Sequence, residues 1–408
     1  MPVATKTAAF CFASLGMALA ARAQSLIPLY DLPQNPSPAP AHPLSISDDG
    51  SIVVGYEQDR VLQQRNYPRV WRRSTGFVAD ADPVPPANRY GQWYDASADG
   101  SVLVGTIGSQ AYAWRADLGL VRLSIPGSVA SSDAYAVSAD GGTIGGDFYD
   151  NVALRALVWK FAGGTQPTPF AGDWTWVNAL DEHGSLIVGG NDACGFVWSR
   201  PGAPVFTCSP PDSRVCNTIT RSGAFVFGTQ HGDMYEDPDA YATAFRWPSG
   251  EGPQDLGRFG NARWTFLLAA AESGDVAVGW ASFGDYPETA LAWTRDEGFL
   301  PLDAFLAGAG IDTTGWTFTS ARDITPDGRY VIGEGVRAGR VCGFLAELPQ
   351  STCRADFNGD RVVDFFDYLD FVAVFDAEDA AADFNGDNAV DFFDYLDFAA
   401  AFDAGCDE

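Results

Sequence analysis

The chain has 408 residues, with 53 Asp and Glu against 25 Lys and Arg, for a formal net charge of −28. That length suits one large domain plus a small one. Nothing in the composition supplies the basic face that nucleic acid or an anionic membrane surface requires.

Residues 1–23 read as a secretory signal peptide. Lys6 gives a positive start, 8–20 is a 13-residue apolar run too short to span a bilayer, and Ala21-Arg22-Ala23 is a small-residue cleavage site before Gln24. An uncleaved anchor is the alternative, and no later stretch is apolar enough to be membrane-embedded. The expectation is therefore a secreted, extracellular or cell-surface protein. Its mature part keeps six cysteines, at 194, 208, 216, 342, 353 and 406. Exported proteins keep disulfides. Cys208 and Cys216 flank SPPDSRV and can pair, or Cys194 can face Cys208 across a hairpin.

A phrase then recurs seven times: ISDDGSIVVG (46–55), ASADGSVLVG (96–105), VSADGGTIGG (137–146), LDEHGSLIVG (180–189), ITRSGAFVFG (219–228), AAESGDVAVG (270–279) and ITPDGRYVIG (324–333). Each reads strand, tight turn, strand, with two glycines five residues apart. A further phrase follows, ending in Trp71, Trp114, Trp159, Trp198, Trp247 and Trp293, with Ala346 in the last copy. Three residues earlier the side chain is small or cyclic (Pro68, Ala111, Ala156, Gly195, Ala244, Ala290, Gly343). This predicts a third strand whose small position lets a neighbour approach. A fourth apolar stretch, such as GLVRL (119–123) or GFLPL (298–302), closes most units. Four short antiparallel strands per repeat predict an all-β, seven-bladed β-propeller over 24–348. The phrases resemble the HAF-type extracellular repeats of bacteria.

The seventh unit has three strands, at about 316–325, 329–334 and 341–348, before the chain leaves at Pro349. The orphan stretch SLIPLYDL (25–32) is similar to the fourth-strand phrase FLPLDAF (299–305). The expectation is that this N-terminal strand closes the last blade and removes two open sheet edges.

Loops between strands 2 and 3, and between strand 4 and the next strand 1, share one face of such a ring. They include 57–67, 79–93, 229–241, 281–289 and 304–316. Tyr90, Trp93, Tyr235, Trp264 and Trp316 fall there as candidates for stacking on a carbohydrate ligand, with packing between blades as the competing role. The Trp column of the third strands reads as structural. No catalytic constellation is visible. The only histidines are His42, His183 and His231, none at metal-ligand spacing, and His183 stands where other turns have Asp. An acid pair drawn from distant positions stays open.

After a short linker, 349–352, two acidic loops follow: DFNGDRVVDFFD (356–367) and DFNGDNAVDFFD (383–394), each running into YLDF. Oxygen-bearing side chains fall at loop positions 1, 3, 5, 9 and 12: Asp356, Asn358, Asp360, Asp364 and Asp367, then Asp383, Asn385, Asp387, Asp391 and Asp394. The carbonyls of Val362 and Ala389 occupy position 7. This is EF-hand-type ligand spacing, suited to two calcium ions. Apolar residues at helical spacing follow each loop (Phe365, Leu369, Val372; Phe392, Leu396, Ala399), which a disordered acidic tail does not explain. Arg361 and Asn388 stand at position 6, where Gly is usual; Arg costs about 1 kcal/mol there.

Segment 353–408 resembles a type I dockerin of the bacterial variety ending in Gly-Cys, here Gly405-Cys406. The resemblance implies a small duplicated α-helical module that docks a secreted protein onto a cohesin-like or cell-surface protein partner. Cys353 and Cys406 bracket the module, and a bridge between them would staple its ends. The combined expectation is a non-catalytic propeller anchored through calcium, with a polysaccharide-degrading enzyme, hydrolase or lyase, as the alternative. A unit that only sorts the protein at the cell surface is a third reading, and it predicts no cohesin binding.

Overall fold

The computed structural model describes residues 26–29, 40–58, 65–75, 79–80, 90–125, 129–161, 174–191, 194–200, 202, 204–206, 213–231, 241–284, 288–349, 354–357, 363–377, 379–385 and 389–405. The expected signal peptide, most of the proline-rich connector, and the pair Cys353 and Cys406 lie outside the described residues.

A strand β1 (Leu26–Leu29) precedes the repeats. Blade one is β2 (Ala41–Ile46), β3 (Ile52–Gln58), β4 (Asn66–Arg72) and β5 (Ala79–Asp80). Blade two is β6 (Gly91–Ala96), β7 (Val102–Ile107), β8 (Gln110–Arg115) and β9 (Gly119–Arg122). Blade three is β10 (Ser131–Val137), β11 (Thr143–Tyr149) and β12 (Leu154–Lys160). Blade four is β13 (Thr175–Leu180), β14 (Leu186–Asn191), β15 (Gly195–Ser199) and β16 (Pro204–Phe206). Blade five is β17 (Ser213–Ile219), β18 (Phe225–His231), β19 (Ala242–Pro248) and β20 (Gln254–Gly257). Blade six is β21 (Trp264–Ala270), β22 (Val276–Ser282), β23 (Glu288–Thr294) and β24 (Gly298–Pro301). Blade seven is β25 (Trp316–Ile324), β26 (Tyr330–Arg337) and β27 (Arg340–Glu347). Strands pair in sequence order within each sheet, so the fold is a seven-bladed β-propeller. The fourth-strand position of blade three falls outside the described residues.

The last blade is completed by β1, antiparallel to β27 with Leu26 opposite Ala346 and Leu29 opposite Gly343. Leu29 is buried with Trp71, Tyr330 and Leu345, so one side chain ties the N-terminal strand to blades one and seven.

The repeated phrase has a local cause. In blade one, Ser47 Oγ donates to Asp49 Oδ1 (2.7 Å), which also accepts from Ser51 N (2.8 Å), while Ile52 N donates to Ser47 Oγ (3.0 Å). The same clamp recurs at Ser97/Asp99, Ser138/Asp140 and Thr325/Asp327. In blade four, Asp181 takes the place of the serine and accepts both the amide and the hydroxyl of Ser185. The turn is held without the usual Asp, which lets His183 stand there. The first glycine of each phrase has φ between +62° (Gly184) and +76° (Gly223), the left-handed region the turn needs.

The second glycine answers a different need. A Cβ on Gly55 would lie 2.0 Å from the His42 carbonyl oxygen, and one on Gly105 would lie 2.1 Å from that of Gln92. Each inner strand is bulged at this point, for example between Pro43 and Ser45 and between Trp93 and Asp95, and its carbonyl occupies the space a side chain would fill. The small positions of the third strands likewise face the next blade. A Cβ on Gly195 would meet Arg214 O at 2.7 Å.

Two expectations change. The segment 304–316 is not wholly loop: Leu302–Gly308 is a helix, α1, with Leu302 and Leu306 buried in the core between blades six and seven. Their i, i+4 spacing gives a short helix an apolar face. The Cys208–Cys216 pairing is not made. Cys216 is a buried thiol facing Gly195 of the preceding blade, whereas Cys194 is disulfide-bonded, to a partner outside the described residues.

After the propeller come α2 (Phe365–Asp376) and α3 (Phe392–Ala404), packed through Phe371, Phe384 and Phe398. The Phe371 and Phe398 rings stack at 4.0 Å.

Leu29→Ala is expected to lower the unfolding free energy by about 2–5 kcal/mol in urea melts, the usual cost of emptying a packed leucine site. Gly105→Ala is expected to destabilise as well, because the Gln92 carbonyl has to move.

Candidate functional site

The inner strands line a central channel. Its end on the side of the first-to-second-strand turns is stitched by backbone bonds between consecutive blades. Asp48 N donates to Ala98 O (2.9 Å), Ala98 N to Ala139 O (3.0 Å), Asp140 N to Glu182 O (3.1 Å), Glu182 N to Arg221 O (2.8 Å) and Glu272 N to Pro326 O (2.8 Å). The remaining joints use carboxylates. Glu272 accepts from Arg221 N (2.8 Å), and Asp323 accepts from Ile46 N across the seam between blades seven and one (3.0 Å). Arg221 then reaches from blade five to Asp48 of blade one (2.8 Å), a bar across this end of the channel.

Two half-buried acids, Asp95 and Asp323, sit beside that bar. Asp95 accepts from Ser45 Oγ (2.7 Å), Ala96 N (2.8 Å) and Val137 N of the next blade (2.8 Å). Burial pushes Asp95 up and takes Asp323 up to about 7, against the pull of their amide donors and of Arg221. Burial would lower Arg221, but Asp48 and Asp95 outweigh it and hold the guanidinium charged. The cavity here is about 170 Å³, lined by Tyr94, Asp95, Asn178, Asn217, Arg221 and Arg322 among others. At roughly 30 Å³ per water it holds a few waters, well below the ~300 Å³ at which small-molecule pockets begin.

Nearer the opposite mouth, two clusters flank the channel. On the seam of blades seven and one, His42 Nδ1 donates to Glu334 Oε2 (2.9 Å), Arg322 bonds Glu334 Oε1 (3.1 Å), and Tyr56 stacks on the imidazole at 4.7 Å. His42 Nε2 and Ser320 Oγ are buried without partners. Burial opposes ionisation of Glu334, but the bonds from His42 and Arg322 win and hold it below its ordinary value. Between blades two and three lie Tyr94, Thr106, Asp133, Tyr135 and Asp147.

The aromatic candidates divide by placement. Trp93 is fully buried with Val54, Val70 and Leu103, so it packs between blades. Trp316 stacks on Phe318 (5.6 Å) against the core of blades six and seven. Trp264, half-buried, begins a stack with Phe266 (5.9 Å) and Trp280 (4.6 Å from Phe266). Tyr90 is half-buried beneath Arg65 at 4.3 Å. Tyr235 lies outside the described residues.

In the acidic loops, Asn358, Asp360, Val362 and Asp387 lie outside the described residues. Asp364 and Asp391 cap α2 and α3, accepting from Phe366 N (2.7 Å) and Phe393 N (2.8 Å). Asp367 and Asp394 are fully buried and fold back onto the loops. Asp367 accepts from Asp364 N (2.9 Å), while Asp394 accepts from Asp391 N (2.8 Å) and Asn385 N (3.0 Å). Backbone bonds from Asn385 and Asp391 hold the Asp394 carboxyl below its usual range. Asp356 is buried, Asp383 is half-buried, and Asn385 and Ala389 are exposed. Among the described residues, no three His, Cys, Asp or Glu side chains gather in one metal-holding group. The last acid of each loop nevertheless turns toward its own loop, and the donors are all oxygen, which fits a hard cation. The described helices leave Phe365, Phe366, Phe392 and Phe393 63–65% exposed, with Leu369 and Leu396 at 44% and 45%.

No protein-family model matches the sequence, and no curated protein is significantly similar to it. Among solved structures, the chain is similar to an oligogalacturonate lyase in complex with manganese, with TM-score 0.54 and 14% identity over 81% of this chain and 99% of that one. The oligogalacturonate lyase of Vibrio parahaemolyticus gives 0.53 and 10% over the same shares. TolB of Acinetobacter baumannii gives 0.44 and 9%, over 62% of this chain and 63% of that one. At these identities the likeness to the lyases is one of fold, a shared β-propeller scaffold.

Between about pH 4 and 7 the folded chain holds a proton on Asp323 that the unfolded chain has released. This group's contribution to stability therefore falls as pH rises through that window. Relative to the native chain, Asp323→Asn is expected to flatten that fall, read from urea titrations across the window.

Proposed function

We propose that this chain is an exported, non-catalytic propeller attached to a protein partner through a calcium-dependent, dockerin-like module spanning 353–408. The observation that carries the reading is the duplicated apolar face. Phe365, Phe366 and Leu369 on α2, and Phe392, Phe393 and Leu396 on α3, are exposed to nearly equal degrees. Six large apolar side chains on a short acidic segment cost solubility unless a partner covers them. Their repetition mirrors the repeated loops.

In this reading two calcium ions are held by Asp356, Asn358, Asp360, Asp364, Asp367 and the Val362 carbonyl, and by Asp383, Asn385, Asp387, Asp391, Asp394 and the Ala389 carbonyl. When bound, calcium offsets the −14 carried by the segment's 14 Asp and 2 Glu against 2 Arg. The chain's part is to pre-place the last acid of each loop at the start of its helix, which couples ion binding to helix order. A Cys353–Cys406 bridge would close the module's ends. The small, barred channel supports a scaffold or binding role for the propeller, with its loop face presenting Trp264 and Tyr90 to a carbohydrate or protein ligand.

A second reading, an enzyme on polysaccharide, draws on one cluster. His42 is oriented by Glu334 beside Arg322, with Nε2 unpartnered, which places a general base next to a cation. Turnover of a uronate polymer, lost in His42→Gln, would favour it over the first.

The primary test uses the full chain against a cohesin-type module as probe. Capture is expected in calcium, to be lost in EGTA, and to weaken at least about tenfold when Phe365, Phe366, Phe392 and Phe393 are all changed to Ser, about 1.4 kcal/mol per decade. Equal capture in chelator would defeat the calcium part of the reading, and no capture in either condition the cohesin part.

A further inference from the structure

Asp133 on β10 and Asp147 on β11 are direct cross-strand partners. Facing side chains in an antiparallel pair have Cβ atoms about 4.5–5.5 Å apart, and like charges so placed repel. Thr106 Oγ1 of blade two donates to Asp133 Oδ1, which sets Asp133 toward the seam of blades two and three. Tyr94 and Tyr135 complete the group, their rings 4.7 Å apart, with Gln92 Nε2 bonded to the Tyr94 hydroxyl (2.5 Å).

Within that cluster, Asp147 is 2% exposed and its Oδ1 has no hydrogen-bond partner. The contrast with Asp95 is direct, because Asp95 is met by a serine hydroxyl and two amides. No described Lys, Arg or His pairs with Asp133 or Asp147, whereas the buried Glu57 and the half-buried Glu334 each have an arginine. A buried carboxylate with an unpartnered oxygen such as Asp147 is costly, and the half-buried Asp133 carboxylate facing it adds to that cost. Burial, and then Asp133, drive Asp147 up to about 8; burial also raises Asp133. Burial, and then Asp147 and Asp133, raise Tyr135.

We propose that Asp133 and Asp147 form a site for a hard divalent cation of the calcium class, with the hydroxyl of Thr106 against Asp133 and those of Tyr94 and Tyr135 in the same cluster. An all-oxygen donor set with two carboxylates selects calcium or magnesium over soft metals. The ion stabilises the propeller by neutralising two facing carboxylates that no described cation pairs with, Asp133 having only the Thr106 hydroxyl. This site is separate from the C-terminal loops and does not depend on them.

The test compares calcium bound per full-length chain by native mass spectrometry, and the midpoint of strand melting by circular dichroism in calcium and in EGTA. Asp147→Asn is expected to bind one calcium fewer than the native chain and to lose the calcium-dependent rise of the strand midpoint. Asp133→Asn makes the same comparison if Asp147→Asn does not fold. Asp117→Asn, which removes an exposed acid outside the seam, is expected to keep the native count. An unchanged count in the Asp133 and Asp147 variants, with Asp147→Asn raising the midpoint equally in calcium and in EGTA, would overturn the site and leave a carboxyl pair sharing one proton.

Discussion

The fold rests on a contact that no side chain makes. In each blade the bulged inner strand pushes a backbone carbonyl to about 2 Å from where the second glycine's Cβ would be. Any other residue would force the first two strands apart, and with them the twist that lets blades fan around an axis. The phrase that recurs along the chain is thus a steric requirement written seven times. Its first glycine sets the turn and its second admits the bulge. The residues between them are free to be Ser-Ile-Val-Val, Ser-Val-Leu-Val or Ala-Phe-Val-Phe.

What the bulge organises, the turn end of the channel exploits. Every blade-to-blade joint there is closed by a backbone amide. Its acceptor is a neighbouring carbonyl at most seams and a carboxylate at two of them, Glu272 between blades five and six and Asp323 between seven and one. The seam between seven and one is where the ring closes, and β1, the strand that completes blade seven, is also the one that precedes blade one in sequence. Strand β1 and Asp323 hold the seam, one by a sheet ladder and one by a carboxylate acceptor. The Arg221 bar is a consequence of the same crowding. With Asp48, Asp95 and Asp323 turned inward, one guanidinium bonds Asp48 and offsets the charge of the other two.

The sequence made the architecture legible because its determinants are local. Glycine spacing, alternating apolar residues and a missing fourth strand can be counted along the chain, and the match of 25–32 to a fourth-strand phrase located the closure. Helix α1 was not legible, because Leu302 and Leu306 lie beside a strand phrase and only tertiary burial makes their spacing helical. Trp93 looks like a ligand-face aromatic from its place at a strand start, but it turns into the seam between blades. Asp133 and Asp147 sit in different strands, fourteen positions apart. Only the register that sets Asp133 opposite Asp147, with Tyr94 coming from another blade, makes them a group.

The inward-facing acids of this protein are told apart by what meets them more than by depth. Asp367 and Asp394 are fully buried while Asp95 and Asp323 are half-buried, and each accepts from at least one backbone amide. Asp394 is held low by such bonds, whereas Asp323 rises to about 7 despite them. The contrast follows from the surroundings: a loop that folds its own amides toward the carboxylate favours charge, while a channel wall shared with Asp95 opposes it. Depth alone therefore does not mark an acid as a ligand, a latch or a proton store. The number and sign of the groups that face it do. By that measure Asp394 of the second C-terminal loop is built to stay ionised, and the channel acids are built to hold blades together.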